Sequence, residues 1–253
     1  MTTFRLSILS IMLSAFAVCG SAAPDQTLDA AAFLERARTP NQASTYAMLD
    51  GLLQHRRRDG EMLSAALYFG VIITPERTFG QILVDDRESY ILGQSRDARR
   101  DGTSVMHSPD CVILDKVGVR ASDLTMSFLY GDLVRELPET TLSAVVRCRV
   151  LLLKSADGKE FVKVYLEKEH AFPLKAEFFH PGADEPFRSV ETGGFTEKNG
   201  LYYAGSLRIE GPGWRTRIEF DRDKAQLGFL DKNSPPRIVR EAAKKVVDNT
   251  NSK

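Results

Sequence analysis

Trp214-Arg-Thr-Arg-Ile-Glu-Phe220 places Trp214, Thr216, Ile218 and Phe220 on one side of an extended chain, and Arg215, Arg217 and Glu219 on the other. Successive strand side chains point to opposite faces, so this stretch is a strand with one sheltered and one solvated face. Val162, Val164 and Leu166 alternate with Lys163 and Glu167 in the same way. Half-exposed strands of this kind belong to antiparallel sheets, because parallel sheets are covered by helices on both faces. From Leu142 to Phe229 the chain reads as a succession of such strands with no recognisable catalytic group. Their apolar face must be covered by a second sheet, a helix or a ligand, and the alternation leaves that choice open.

Upstream, every odd position from Leu63 to Ile73 is apolar, which predicts a further strand. Thr78 to Asp85 and Ser89 to Gly93 read as the next two, followed by a charged loop from Arg96 to Thr103 and an irregular stretch from Val105 to Val117. Helical spacing predicts Thr27 to Arg38 (Leu28, Ala31, Ala32, Phe33, Leu34) and Ala43 to His55 (Tyr46, Leu49, Leu52, Leu53), separated by Thr39-Pro40-Asn41. Arg56-Arg57-Arg58-Asp59-Gly60 then reads as a solvated turn. A third helix is expected from Asp123 to Leu133, started by Ser122-Asp123, with Leu124, Phe128, Leu129 and Leu133 on one stripe. An amphipathic helix amid strands is expected to lie across the sheet. Pro236 to Asp248 predicts a C-terminal helix with Ile238, Ala242, Ala243 and Val246 inward, and a fraying tail from Asn249 to Lys253.

The chain has 253 residues, enough for one sizeable domain or two small ones, and no repeat or linker divides it. Lys+Arg and Asp+Glu both number 34, so no net field favours nucleic acid or an anionic membrane. Residues 1–22 read as a secretory signal peptide: Arg5, an apolar run from Leu6 to Ala17, then Gly20-Ser21-Ala22 before Pro24. Residues 23–253 are then one exported domain. Two cysteines remain, Cys111 and Cys148, each in or beside a strand-like run. A bridge between them would close a loop of about 37 residues; buried free thiols are the alternative. The histidines are scattered without paired spacing, so no metal site is expected.

No phosphate loop or nucleophile elbow occurs, and Gly211-Pro-Gly213 reads as a turn. His180, Asp184 and Glu185 surround Pro181-Gly182 in what reads as a hairpin loop. Glu160, Glu167, Glu169 and His170 offer carboxylates beside an imidazole, but solvated strand ends explain them as well. The reading is therefore of a protein without catalytic residues or a cofactor; an exported hydrolase using Glu167 and His170 is the remote rival.

Gly118-Val-Arg-Ala-Ser-Asp-Leu-Thr-Met-Ser-Phe-Leu129 resembles the helix-opening segment of the outer-membrane lipoprotein-sorting protein family. Val164-Tyr-Leu-Glu-Lys-Glu-His-Ala-Phe-Pro-Leu-Lys-Ala-Glu-Phe178 is similar to that family's strand-turn-strand unit. Gly205 to Glu210 and Thr216 to Phe220 match its closing strands, and order and spacing agree from about Leu63 to Phe229. Tyr165 stands where the family usually has tryptophan, and Ala121 where it has glycine. The resemblance implies an α+β fold: a strongly curved antiparallel sheet forming an unclosed β-barrel, with helices as a lid over a hydrophobic cavity. It implies a monomeric periplasmic carrier of lipoprotein acyl chains or another lipid, with an inner-membrane donor and an outer-membrane acceptor. Phe69, Val71, Val164, Phe178, Ile209 and Ile218 are the expected cavity wall, chosen by alternation and resemblance, and Leu124 and Phe128 the lid. The same residues would equally serve a filled core. A non-enzymatic envelope sensor on the same fold is the second reading.

Overall fold

The computed structural model describes residues 28–39, 43–95, 103–231 and 236–242. The leader, most of the Arg96–Thr103 loop and the tail after 242 lie outside the described residues. Helix α1 (Ala30–Arg38) agrees with the first expected helix and is capped by Asp29, whose carboxylate accepts the Ala32 N–H at 2.7 Å. Strands β1 (Thr45–Arg57), β2 (Met62–Ile73), β3 (Arg77–Val84), β4 (Glu88–Ser95) and β5 (Thr103–His107) follow. A crossing segment containing the one-turn helix α2 (Ile113–Lys116) leads to β6 (Asp132–Leu142), β7 (Val146–Lys154), β8 (Phe161–Glu167), β9 (Pro173–Phe179) and β10 (Arg188–Gly193). The hairpin β11 (Thr196–Lys198) and β12 (Leu201–Tyr203) precedes β13 (Ser206–Gly211), β14 (Trp214–Phe220) and β15 (Gln226–Phe229).

All pairings are antiparallel, and the main sheet runs β5-β4-β3-β2-β1-β14-β13-β10-β9-β8-β7-β6, with β15 pairing to one end of β1. Its end strands β5 and β6 do not pair, so the sheet is unclosed. It is also curled. The three-residue 3-10 turn Ala121–Asp123 packs on β4 and β5, and its Asp123 ion-pairs with Arg188 on β10. On a flat sheet β5 and β10 would stand seven strand spacings apart, about 34 Å, too far for one short turn to touch both. The face bearing Leu67, Phe69, Val164, Ile209 and Ile218 is therefore concave, and these residues join one buried apolar cluster.

Three expected helices are corrected. Ala43 to His55 belongs to β1: Leu49 and Leu53 are four residues apart, which puts them on one side of a helix and equally on one side of a strand. Pairing on both flanks decides the matter, Leu53 lying opposite Ala65 of β2 and Ile218 of β14. Asp123 to Leu133 forms no continuous helix. The 3-10 turns Ala121–Asp123 and Ser127–Tyr130 are separated by Met126 in the left-handed region (φ 52°), and β6 begins at Asp132.

Residues 236–242, the described part of the expected C-terminal helix, are not helical, because the sheet takes the backbone groups that a helix would need. Tyr68 donates to the Ile238 carbonyl (2.7 Å), while Gln81 donates to the Arg240 carbonyl (2.9 Å) and accepts its N–H (2.8 Å). Arg240 also stacks over the Tyr68 ring and pairs with Asp50. Among the described residues, no helix is long and apolar enough to cross a membrane.

Candidate functional site: the concave face and the segment across it

The chain between β5 and β6 returns across the concave face. Its apolar residues Leu114, Val117, Val119, Leu124 and Leu129 are buried against the strands. Polar bonds hold it at intervals. Ile113 N–H donates to Glu88 (2.8 Å) on β4, and the Thr216 hydroxyl on β14 donates to the Val117 carbonyl. Arg120 meets Glu160 through two bonds, of 2.8 and 2.7 Å. Arg38 of α1 donates to the carbonyls of Leu129 (2.8 Å) and Gly131 (2.6 Å). Gly118 (φ 69°) passes so close to Trp214 that a Cβ there would sit 2.4 Å from the indole.

The deepest of these fastenings is Asp123 with Arg188. Their side chains are 3% and 5% exposed, and the guanidinium also lies over the Phe178 ring, 5.0 Å from its centroid. The same Asp123 carboxylate accepts the Arg120 N–H at 2.8 Å. Arg188 Nη1 is buried without a hydrogen-bond partner among the described residues. The arrangement is an apolar filling tied down by a few polar bonds, not a second sheet.

Phe69, Val71, Val164, Phe178, Ile209, Ile218 and Leu124 all belong to the buried concave cluster, and the half-buried Phe128 packs against it. Phe128 meets Phe178 edge to face, with centroids 5.9 Å apart. Leu124 and Phe128 thus lie over the sheet, but on 3-10 turns and irregular chain instead of the expected helix. A groove of about 500 Å³ opens elsewhere; it is polar, lined by Tyr46, Asp50, Lys198, Asp223 and Lys224 among others, and none of the eight candidates lines it.

The expected Cys111–Cys148 bridge is not formed: both are buried free thiols. Cys111 is in the concave cluster, bonded to the Ser89 carbonyl of β4. Cys148 is on β7, opposite Glu167, outside that cluster, and eight strands of the sheet order separate β4 from β7. Burial pushes the Cys148 thiol above its ordinary value, which favours the unreactive form.

Scattered histidines suggested no metal ligands, yet folding brings Glu167, Glu169 and His170 within 4.8 Å of one another. Glu167 is already occupied there, its two oxygens accepting the N–H groups of Glu169 (2.9 Å) and His170 (2.6 Å). That is a capped turn between β8 and β9, with His170 Nδ1 a further 3.1 Å from Glu167.

Sequence reasoning missed Arg188 and His55, and read Asp123 only as a helix start, not as the partner of Arg188. His55 on β1 is 5% exposed, and its Nδ1 lies 2.8 Å from the Thr216 hydroxyl. Thr216 spends its own proton on Val117, so Nδ1 must be the donor. Burial, then the nearby Arg57, hold the His55 pKa below its usual 6.5. The unfolded chain therefore takes up this proton first as pH falls, and stability present above pH 6.5 is lost below it. The urea midpoint is expected to fall as the pH drops below His55's usual 6.5, and His55→Gln to flatten that fall. An unchanged slope in the variant would remove His55 as the cause.

No protein-family model matches the sequence, and neither does any curated protein. Solved structures do match. A putative outer membrane lipoprotein-sorting protein domain from Vibrio parahaemolyticus superposes with a TM-score of 0.58 at 12% identity, over 79% of this chain and 92% of that one. The chain shares the fold of that domain. A DUF1329 family protein from Desulfovibrio piger ATCC 29098 superposes with a TM-score of 0.56 at 13% identity, over 78% of this chain and 90% of that one. The unclosed antiparallel sheet expected from the sequence resemblance is present in this chain.

Proposed function

We propose that this protein is a periplasmic carrier that shelters acyl chains, of lipoproteins or another lipid, on the concave face of its sheet. The observation that supports this most is the cover of that face. It is a single irregular segment, residues 108–131, whose apolar side chains occupy the place an acyl chain would take. Acyl chains in water cost about 0.8 kcal/mol per methylene, so a carrier needs an apolar surface and no reacting group. Loading exchanges one apolar filling for another, with Leu124 and Phe128 moving away from the wall formed by Phe69, Val71, Val164, Phe178, Ile209 and Ile218. The leader of residues 1–22 brings the chain to the periplasm, where an inner-membrane donor and an outer-membrane acceptor are its partners. A fluorescent fatty-acyl probe is expected to bind the exported protein and to be displaced by unlabelled lipid. Failure to bind would end the carrier reading.

The non-enzymatic sensor reading has one observation in its favour: the concave face is filled by the chain's own segment. A protein that binds envelope partners while never taking up the probe would support it instead.

A further inference from the structure

Pairing of β1 to β5 arranges their inward-facing residues in rows. Leu49, Phe69, Ile82 and Tyr90 make one row, and Ala47, Val71, Gly80 and Leu92 the next. Beyond these, at the end of the sheet, Thr45, Ile73, Thr78, Gln94 and Thr103 lie opposite one another in succession. This last row changes character. Thr45, Thr78 and Gln94 are buried, at 9%, 7% and 3% exposure, and no member of the row is charged.

Gln94 is the unexplained member. Its amide nitrogen and oxygen are both inaccessible, and neither has a hydrogen-bond partner among the described residues. A buried amide left without bonds is unfavourable, so such groups are nearly always satisfied. Gln81, on the opposite face of the adjacent strand, shows the ordinary outcome: its amide bonds Ser89 and both backbone groups of Arg240. Gln94 sits instead at the polar end of apolar rows on the concave face, with two donors and one acceptor unused.

We propose that Gln94, flanked by Thr78 and Thr103, receives the neutral polar group at the head of an acyl chain. This rests on the carrier reading and narrows its cargo to acyl esters or acyl amides. A carboxylate or phosphate head would enter this row without a counter-charge, and an unpaired buried ion is far more costly than a neutral group. An ester or amide carbonyl accepts from the Gln94 amide nitrogen, and a neighbouring hydroxyl or N–H donates to its oxygen.

The test titrates 1-monooleoylglycerol and oleate into protein purified from the periplasm. Wild-type protein is expected to bind the ester at least about tenfold more tightly than the acid. Gln94→Leu should abolish that preference by weakening the ester about tenfold, with oleate binding retained and the urea midpoint not lowered. Thr78→Val, read in the same way, replaces it if Gln94→Leu fails to fold. Ester binding by the folded variant equal to wild type, or a wild-type preference for oleate, overturns the Gln94 assignment and leaves the carrier standing. Wild-type protein that binds neither lipid overturns the carrier reading itself.

Discussion

Arg188→Met is expected to lower folding stability by about 3–5 kcal/mol, because it leaves the Asp123 carboxylate buried without its counter-ion. Asp123 is 3% exposed on its side chain and lies between the crossing segment and β10, so it cannot turn to water without unseating the segment. The pair itself is another matter. Arg188 leaves Nη1 without a partner among the described residues, so the desolvation of both ions is incompletely offset. Replacing both, as Arg188→Met with Asp123→Leu, is therefore expected to recover much of the loss. Urea midpoints for wild type and the three variants close a double-mutant cycle. A single variant within about 1 kcal/mol of wild type, or a double variant no better than the singles, contradicts this account of the anchor.

Phe128→Asp is expected to weaken uptake of the fluorescent acyl probe by tenfold or more while changing stability by less than about 1 kcal/mol. Phe128 is half-buried and touches the wall at Phe178 edge to face. On a segment that moves aside, the new carboxylate turns to solvent when no lipid is bound, yet it obstructs an incoming chain. If Phe128 were fixed core, the same change would cost about 3 kcal/mol or more. Probe affinity and urea midpoint, measured on the same preparation, separate the two cases. Early unfolding with the probe affinity of the folded fraction unchanged would place Phe128 in the core.

Alternation made most strands legible. Residues such as Val162, Val164 and Leu166 on β8, or Thr216, Ile218 and Phe220 on β14, turn inward as their spacing requires. It also placed Phe69, Val164, Ile209 and Ile218 on one face, since a period of two reports which face a side chain shares. It failed where two periods coincide: Leu49 and Leu53 satisfy a helix and a strand alike, and only the partners β2 and β14 settle β1.

The two other misplaced helices failed for a different reason. Met126 interrupts one, and Tyr68 and Gln81 take backbone groups of the described part of the other, from 170 and 159 positions away. No local pattern announces such contacts. Polar residues on the concave face were hidden for the same cause. Arg188, Gln94 and His55 look like solvated positions until the partner or its absence is seen. Cys111 and Cys148 show the converse: both lie in strand-like sequence, but on different faces and far apart in strand order.

Native mass spectrometry of protein purified directly from the periplasm tests the central claim most directly, because it weighs the chain together with whatever its concave face holds. The account predicts a population heavier than the bare chain by the mass of an acyl lipid, released by organic solvent and depleted in Phe128→Asp. The bare chain alone, in a preparation that also fails to take up the acyl probe, would contradict it.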